Sequence, residues 1–560
     1  MGFASLAVLL WLAAAEPATL VLRHGRIVTV EPAQPEAQAL AARGSRIVAV
    51  GTDEAMAQYV GPATEVIDLK GALAIPGFIE AHGHFTGIGR LHTELNLMGV
   101  RNWDEVVAKV REAASRARPG EWILGRGWHQ EKWDRAPEPS VEGFPTHASL
   151  SAASPRNPVF LTHASGHASC ANAKAMELAG VTAATPDPPG GQILRDARGQ
   201  PMGVFREEAS DLIGRALAAS RSRRTAAEVE AESRNEIRLA DEEVLSKGIT
   251  TFEDAGSPLA LVDVFKKMAA EGALRVRLWV MLRDDNASLA PSLDRYWTIG
   301  AGDDHLTIRA IKKQIDGALG SRGAWLLAPY SDLPTSAGLN TTSLDEMREA
   351  ARLAIAHGYQ LCVHAIGDRA NRETLDLYER TFRENPGKTG LRWRIEHAQH
   401  LSAADIPRFG RLGVIAAMQG IHCTSDAPFV VARLGAARAE EGAYVWRKLL
   451  ATGAVIANGT DAPVEDVSPV ASFYSSVSRR LKDGTLFYPD QRMTREEALR
   501  SYTRDAAYAA FEEDLKGSLA PGKLADVTVL SKDILKVPED EIPSAQVLYT
   551  IVGGRIAYRR

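Results

Sequence analysis

The chain has 560 residues, 45% of them hydrophobic and 24% charged, with a formal net charge of -5. It is too long for one simple core and too ordinary in composition for a disordered or fibrous protein, so a large globular domain with smaller attachments is expected. The mild acidity gives no basic footprint for nucleic acid or an anionic lipid surface, which leaves small molecules as the expected partners.

Residues 2–15 form an apolar run that ends in Ala13-Ala14-Ala15 before Glu16. This suits a secretory signal peptide at 1–15, with a periplasmic or secreted mature protein, and is too short for a stable membrane anchor. No Lys or Arg precedes the run; the alternative is an N-terminal extension on a cytoplasmic protein. Short β-branched runs at 19–30 and 45–51 are separated by turn residues, and the same signature returns at 525–530 and 547–558. Because termini tend to lie close together, 16–74 and 515–560 are expected to form one small β-sandwich domain.

Between them, 75–514 alternates apolar strand-like runs with amphipathic stretches such as 345–357 and 368–384, the pattern of βαβ units around a parallel sheet. The expected fold is α/β, a (β/α)8 TIM-like barrel. Three runs end in His364, His397 and Asp461, spaced 33 and 64 positions apart. With about 30 residues per βα unit, that spacing suits strands five, six and eight. From His84 to Lys312 there are 228 positions, which calls for a large insertion after barrel strand 1, at about 96–224, as a cap over the mouth. Cys170, Cys362 and Cys423 are odd in number and widely separated, so neither a disulfide framework nor a cysteine zinc site is indicated.

The first chemical signal is His82-Gly83-His84 at the end of the run from Ala74. Residues two apart in a strand share a face, so both imidazoles can reach one metal ion. Alone, the pair reads equally well as two half-exposed strand histidines. His364, His397 and Asp461 shift that balance, because each closes its own run and barrels keep their chemistry at the carboxyl ends of their strands.

Several blocks occur in order: Pro76-Gly77-Phe78-Ile79-Glu80-Ala81-His82-Gly83-His84, Lys312-Lys313-Gln314-Ile315-Asp316-Gly317, His364-Ala365-Ile366-Gly367-Asp368, Ile395-Glu396-His397-Ala398-Gln399 and Gly459-Thr460-Asp461-Ala462-Pro463. In these the chain resembles the amidohydrolase superfamily, in the branch that contains N-substituted formamide deformylase. Glu80-Ala81 and Asn458-Gly459-Thr460 depart from the commoner wording of the family without removing a ligand. The resemblance implies one or two divalent ions, zinc first. His82, His84 and Asp461 would hold the first, and His364 and His397 the second. Lys312 would be carbamylated and bridge them, since a carbamate offers anionic oxygens where an ammonium would repel. Lys313 points to the opposite face of its strand.

The implied activity is hydrolysis of an amide-type C–N bond by metal-activated hydroxide, with Asp461 as the catalytic proton shuttle. The alternatives are an ester, lactone or cyclic amide substrate, or a non-catalytic metal- or ligand-binding barrel. His163, His167 and Arg322 are candidate substrate contacts, against the alternatives of structural histidines and a surface arginine. Trp122, Trp128 and Trp133 line either a pocket or a core. His422 and Asp426 are expected near the mouth, without an assigned role. A homodimer is in keeping with the family.

Overall fold

The computed structural model describes residues 16–560; the apolar run at 1–15 lies outside the described residues. Among those described, no helix is long and apolar enough to cross a membrane.

Eight strands form the barrel: β1 (Phe78–Gly83), β2 (Ile249–Ser257), β3 (Arg277–Leu282), β4 (Leu306–Gln314), β5 (Gln360–Ala365), β6 (Arg394–His397), β7 (Ile415–Gln419) and β8 (Ile456–Gly459). Each pairs in parallel with the next. Most of their residues are buried, as expected of parallel strands covered by helices on one face and packed core on the other. The seam between β8 and β1 is drawn together beyond the ends of the strands. The Asp461 amide donates to the His82 carbonyl at 2.8 Å, and the His84 amide to that of Ala462 at 2.7 Å. Gly459 permits this approach, because a Cβ there would lie 2.7 Å from the His82 nitrogen.

The helices follow local signals. Ser343 and Glu346 form a capping box that opens Leu344–His357, and Gly358 closes that helix in the left-handed conformation. In Asp368–Glu384, Ala370, Thr374, Leu375 and Tyr378 recur at helical spacing and are buried against the barrel.

Both ends of the chain contribute to a β-sandwich. One sheet runs in the order Arg46–Gly51, Ala39–Arg43, Leu20–Arg23, Glu65–Asp68. The other joins Arg555–Arg559, Val547–Val552 and Val527–Leu530 to Leu73–Pro76, Arg26–Val28 and Glu36–Ala37. Leu20, Leu22, Ile27, Leu40, Val527, Val529 and Ile551 share the core between the sheets.

The chain between β1 and the barrel-packing helix Ala226–Ser246 carries the large insertion, with a six-stranded sheet and its own core. Trp128 is fully buried in that core beside Trp103, Trp133 and Phe144, and its indole donates to the Leu161 carbonyl at 3.0 Å. Trp122 packs partly buried in a neighbouring cluster. Trp122, Trp128 and Trp133 thus serve the insertion's packing.

Candidate metal centre

His82, Lys312, His364, His397 and Asp461 all come to the carboxyl end of the barrel and are buried there; His84 opens further into the cavity, with 31% of its side chain exposed. Donor atoms of His82, His397 and Asp461 lie within 4.8 Å of one another. The His84 Nε2 is 3.3 Å from the same Asp461 oxygen that lies 3.6 Å from His82 Nε2. The His364 ring adjoins His397, with centroids 4.4 Å apart. This group takes His82 and Asp461 from the set that the family resemblance assigned to the first ion and His397 from the set assigned to the second.

Partners behind the ring fix which imidazole atom faces inward. His82 Nδ1 is bonded to Glu396 Oε2, and His397 Nδ1 to Gln419 Oε1 at 2.7 Å. A carboxylate or amide oxygen can only accept, so each Nδ1 carries the proton and each Nε2 keeps its lone pair. The Gln419 amide is itself oriented, since its nitrogen donates to the Ala417 carbonyl at 3.0 Å. Two of the converging residues pay for their placement in backbone strain: His397 has φ 78° and Asp461 φ 58°.

Burial drives the pKa values of His82, His364 and His397 down, the last to about 3, so these imidazoles are neutral, the ligating form. Burial alone would raise the Asp461 carboxyl, but His84, its Nε2 3.3 Å away, and the neighbouring His397 and His422 hold it well below its ordinary value. Lys312 is pushed by burial down to about 8, and its Nζ donates to the Ala255 carbonyl at 3.1 Å. Lys313, on the other face, reaches the Asp284 carbonyl instead. The His82 Nε2, His364 Nε2 and Asp461 Oδ1 atoms are buried with no hydrogen-bond partner among the described residues. Unpartnered buried atoms occur elsewhere in the protein, but here His82 Nε2 and Asp461 Oδ1 belong to one converging group, which suits a bound cation.

His167 lies at the site. Its Nδ1 bonds Glu207 Oε2 at 2.7 Å, and its ring sits 4.8 Å from that of His364. Burial would lower its pKa, but the Glu207 carboxylate outweighs that and raises it. His163 is not brought to the cavity: its ring nitrogens are taken up by Gln130 at 3.1 Å and Ser165 at 2.8 Å, and the ring packs on Trp128. Arg322 also lies away from it, committed to Asp332 at 3.0 Å and to the Glu142 carbonyl at 2.9 Å.

Two cavities meet at the centre. A large one of about 870 Å³ and a narrow one of about 40 Å³ share His167, His364, His397 and Asp461 as walls. His422 and Asp426 line the narrow one, with His422 stacked over His397 at 6.3 Å.

Glu396, Gln419 and Glu207 were not singled out from the sequence. Glu396 precedes a ligand by one position, which in a regular strand points it away from the site. The left-handed backbone at His397 breaks that alternation and lets both side chains face inward.

A family model described as an amidohydrolase family matches residues 65–558. The Arabidopsis thaliana protein LONG AFTER FAR-RED 3 is 33% identical, over 97% of this chain and 92% of its own length. The N-substituted formamide deformylase of Arthrobacter pascens is 29% identical, over 97% of this chain and 98% of its own. The crystal structure of an uncharacterized metal-dependent hydrolase from Pyrococcus furiosus superposes with a TM-score of 0.70 at 27% identity, over 92% of this chain and 100% of that one. With its barrel, its inward-facing histidines and this match over most of its length, the chain belongs to the amidohydrolase family.

Proposed function

We propose that this amidohydrolase cleaves the C–N bond of a small N-acyl or N-formyl amine. The observation that carries the reading is the convergence of donor atoms from His82, His397 and Asp461, with His82 Nε2 and Asp461 Oδ1 otherwise unpartnered. Each such buried atom costs about 1–3 kcal/mol, and a cation relieves that cost for several at once. Neutral imidazoles with one carboxylate suit Zn²⁺ and neighbouring divalent ions. His82, His397 and Asp461 would hold the ion, with His84 and His364 beside them. Lys312, which has no carboxylate partner among the described residues, would add anionic oxygens as a carbamate. When bound, the ion supplies a Lewis acid that acidifies water and polarises a carbonyl.

The protein's own groups carry the protons. Asp461, held ionised, takes the proton of the attacking water and returns it to the departing nitrogen. His167, whose pKa the Glu207 carboxylate raises, would present its outer ring nitrogen toward the reacting group from the wall that both cavities share. The unequal cavities favour a substrate with one small and one bulky half. A small acyl group in the narrow side agrees with the name of the Arthrobacter relative.

The test is chelation followed by reloading with Zn²⁺, Mn²⁺, Fe²⁺, Co²⁺ or Ni²⁺, assayed on N-formyl and N-acyl amines beside esters and lactones. Amide turnover that disappears with the metal and returns on reloading is expected. A fully loaded protein that turns over only esters or lactones would overturn the substrate assignment, and one inert on every carbonyl compound would overturn catalysis.

A further inference from the structure

Five cationic side chains besides Lys312 border the large cavity, and three are neutralised in place. Arg90 pairs with Glu236 at 3.0 Å, Arg224 with Glu232 at 2.8 Å, and Lys267 with Glu230 at 2.6 Å. Arg126 and Arg283 are different: among the described residues, neither has a carboxylate oxygen within 4.0 Å.

Arg126 stands on the insertion strand Ile123–Trp128, and one terminal nitrogen donates to the Ala164 carbonyl at 3.1 Å. Its Nε is buried without a partner, and Glu94 and Asp461 attract it through space without pairing. Arg283 follows β3, and one terminal nitrogen donates to the neutral Gln314 amide oxygen at 3.0 Å. A guanidinium offers five N–H donors in a planar fork and does not lose its charge, so most of this donor capacity is left free by other protein groups. Glycines leave room beside both side chains. A Cβ at Gly166 would lie 3.3 Å from a terminal nitrogen of Arg126, and one at Gly256 would press on the Arg283 stem at 2.9 Å. Open guanidiniums on the wall of a substrate cavity match a planar carboxylate, which accepts two parallel N–H bonds.

Building on the hydrolase reading above, we propose that the substrate carries a carboxylate away from the bond that is cut, and that Arg126, aided by Arg283, holds it in the large cavity. Arg126 thereby determines specificity.

The test compares the metal-loaded enzyme on N-acetylglycine, with the carboxylate on the amine half, on N-methylsuccinamate, with it on the acyl half, and on neutral N-isobutylacetamide. At least one anionic amide is expected to exceed the neutral one by about 30-fold in kcat/KM, mostly through KM. The preferred arm identifies the half that bears the charge. Arg126→Gln collapses this ratio and Arg126→Lys restores part of it, with metal content and melting temperature followed in each variant. Calorimetric binding of N-acetylglycine, N-methylsuccinamate and N-isobutylacetamide reads the same contact without turnover. If no amide is hydrolysed but an anionic compound still binds selectively, and Arg126→Gln removes that selectivity, the hydrolase reading falls and the anion site stands. Equal binding of neutral and anionic compounds by the parent protein, or selectivity unchanged in Arg126→Gln, overturns the proposal.

Discussion

The deep interior of the barrel and its mouth are both crowded with polar groups, yet the Arg394 guanidinium in the one and the histidines of the other are partnered to different degrees. Deep inside, Arg394 is fully buried and each nitrogen of its guanidinium is engaged, by Glu396, by Glu253 and by the Ala81 carbonyl. At the mouth, three residues further along the same strand, His397 and its neighbours converge with several lone pairs unassigned. A buried charge with complete partners holds a structure in one arrangement, whereas a buried set of incomplete partners is organised around a guest. Glu396 joins the two regions, with one carboxylate touching both Arg394 and His82.

That contrast can be broken at either end. The largest effect is expected from Asp461→Asn, which should lower kcat by about 1000-fold while leaving the melting temperature nearly unchanged. Substantial residual turnover would remove Asp461 from proton transfer. Arg394→Met should do the reverse, costing about 3–5 kcal/mol of stability by stranding two buried carboxylates, as read by denaturant unfolding. A shift under 1 kcal/mol would show that the deep network is not the clamp described here. At the junction, Glu396→Gln should weaken metal affinity by about 10- to 100-fold, measured by competition with a chelator. Unchanged affinity would mean that His82 needs no orienting partner.

A smaller effect concerns protons. Burial holds the His400 imidazole down at about 3, against 6.5 for an ordinary one. Below pH 6.5 the unfolded chain therefore binds a proton that the folded chain refuses, so stability present at neutral pH is lost as the pH falls toward 3. Between pH 6.5 and 5.5 that loss is about 1 kcal/mol for one such group. His400→Leu should reduce the apo-protein's loss of unfolding free energy between pH 6.5 and 5.5 by about 1 kcal/mol, read by denaturant unfolding; an unchanged loss would show that His400 titrates normally.

Much of the architecture was legible because it rests on short-range rules. The amphipathic stretch at 368–384 is a helix with those bounds, and the spacing of His364, His397 and Asp461 placed them on β5, on β6 and just beyond β8. The supporting groups were harder to see. Glu207 and Arg126 come from the insertion, where no periodic pattern announces which side chains face the mouth. His163 and His167 look alike in sequence, four positions apart, yet one turns into the insertion core beside Trp128 and the other into the cavity. Only the path of the intervening Ser165-Gly166 turn separates them, with Gly166 at φ 77°.

The sandwich strand Leu73–Pro76 runs into β1 through the single residue Gly77, and it pairs antiparallel with Val527–Leu530 from the far end of the chain. During synthesis, the segment bearing His82 and His84 emerges early and waits for more than four hundred further residues before its partner strand exists. Contacts so distant in sequence form late. A chain that stalls short of residue 527 would carry all six candidate metal ligands without the strand that pairs with Leu73–Pro76, the segment leading directly into β1.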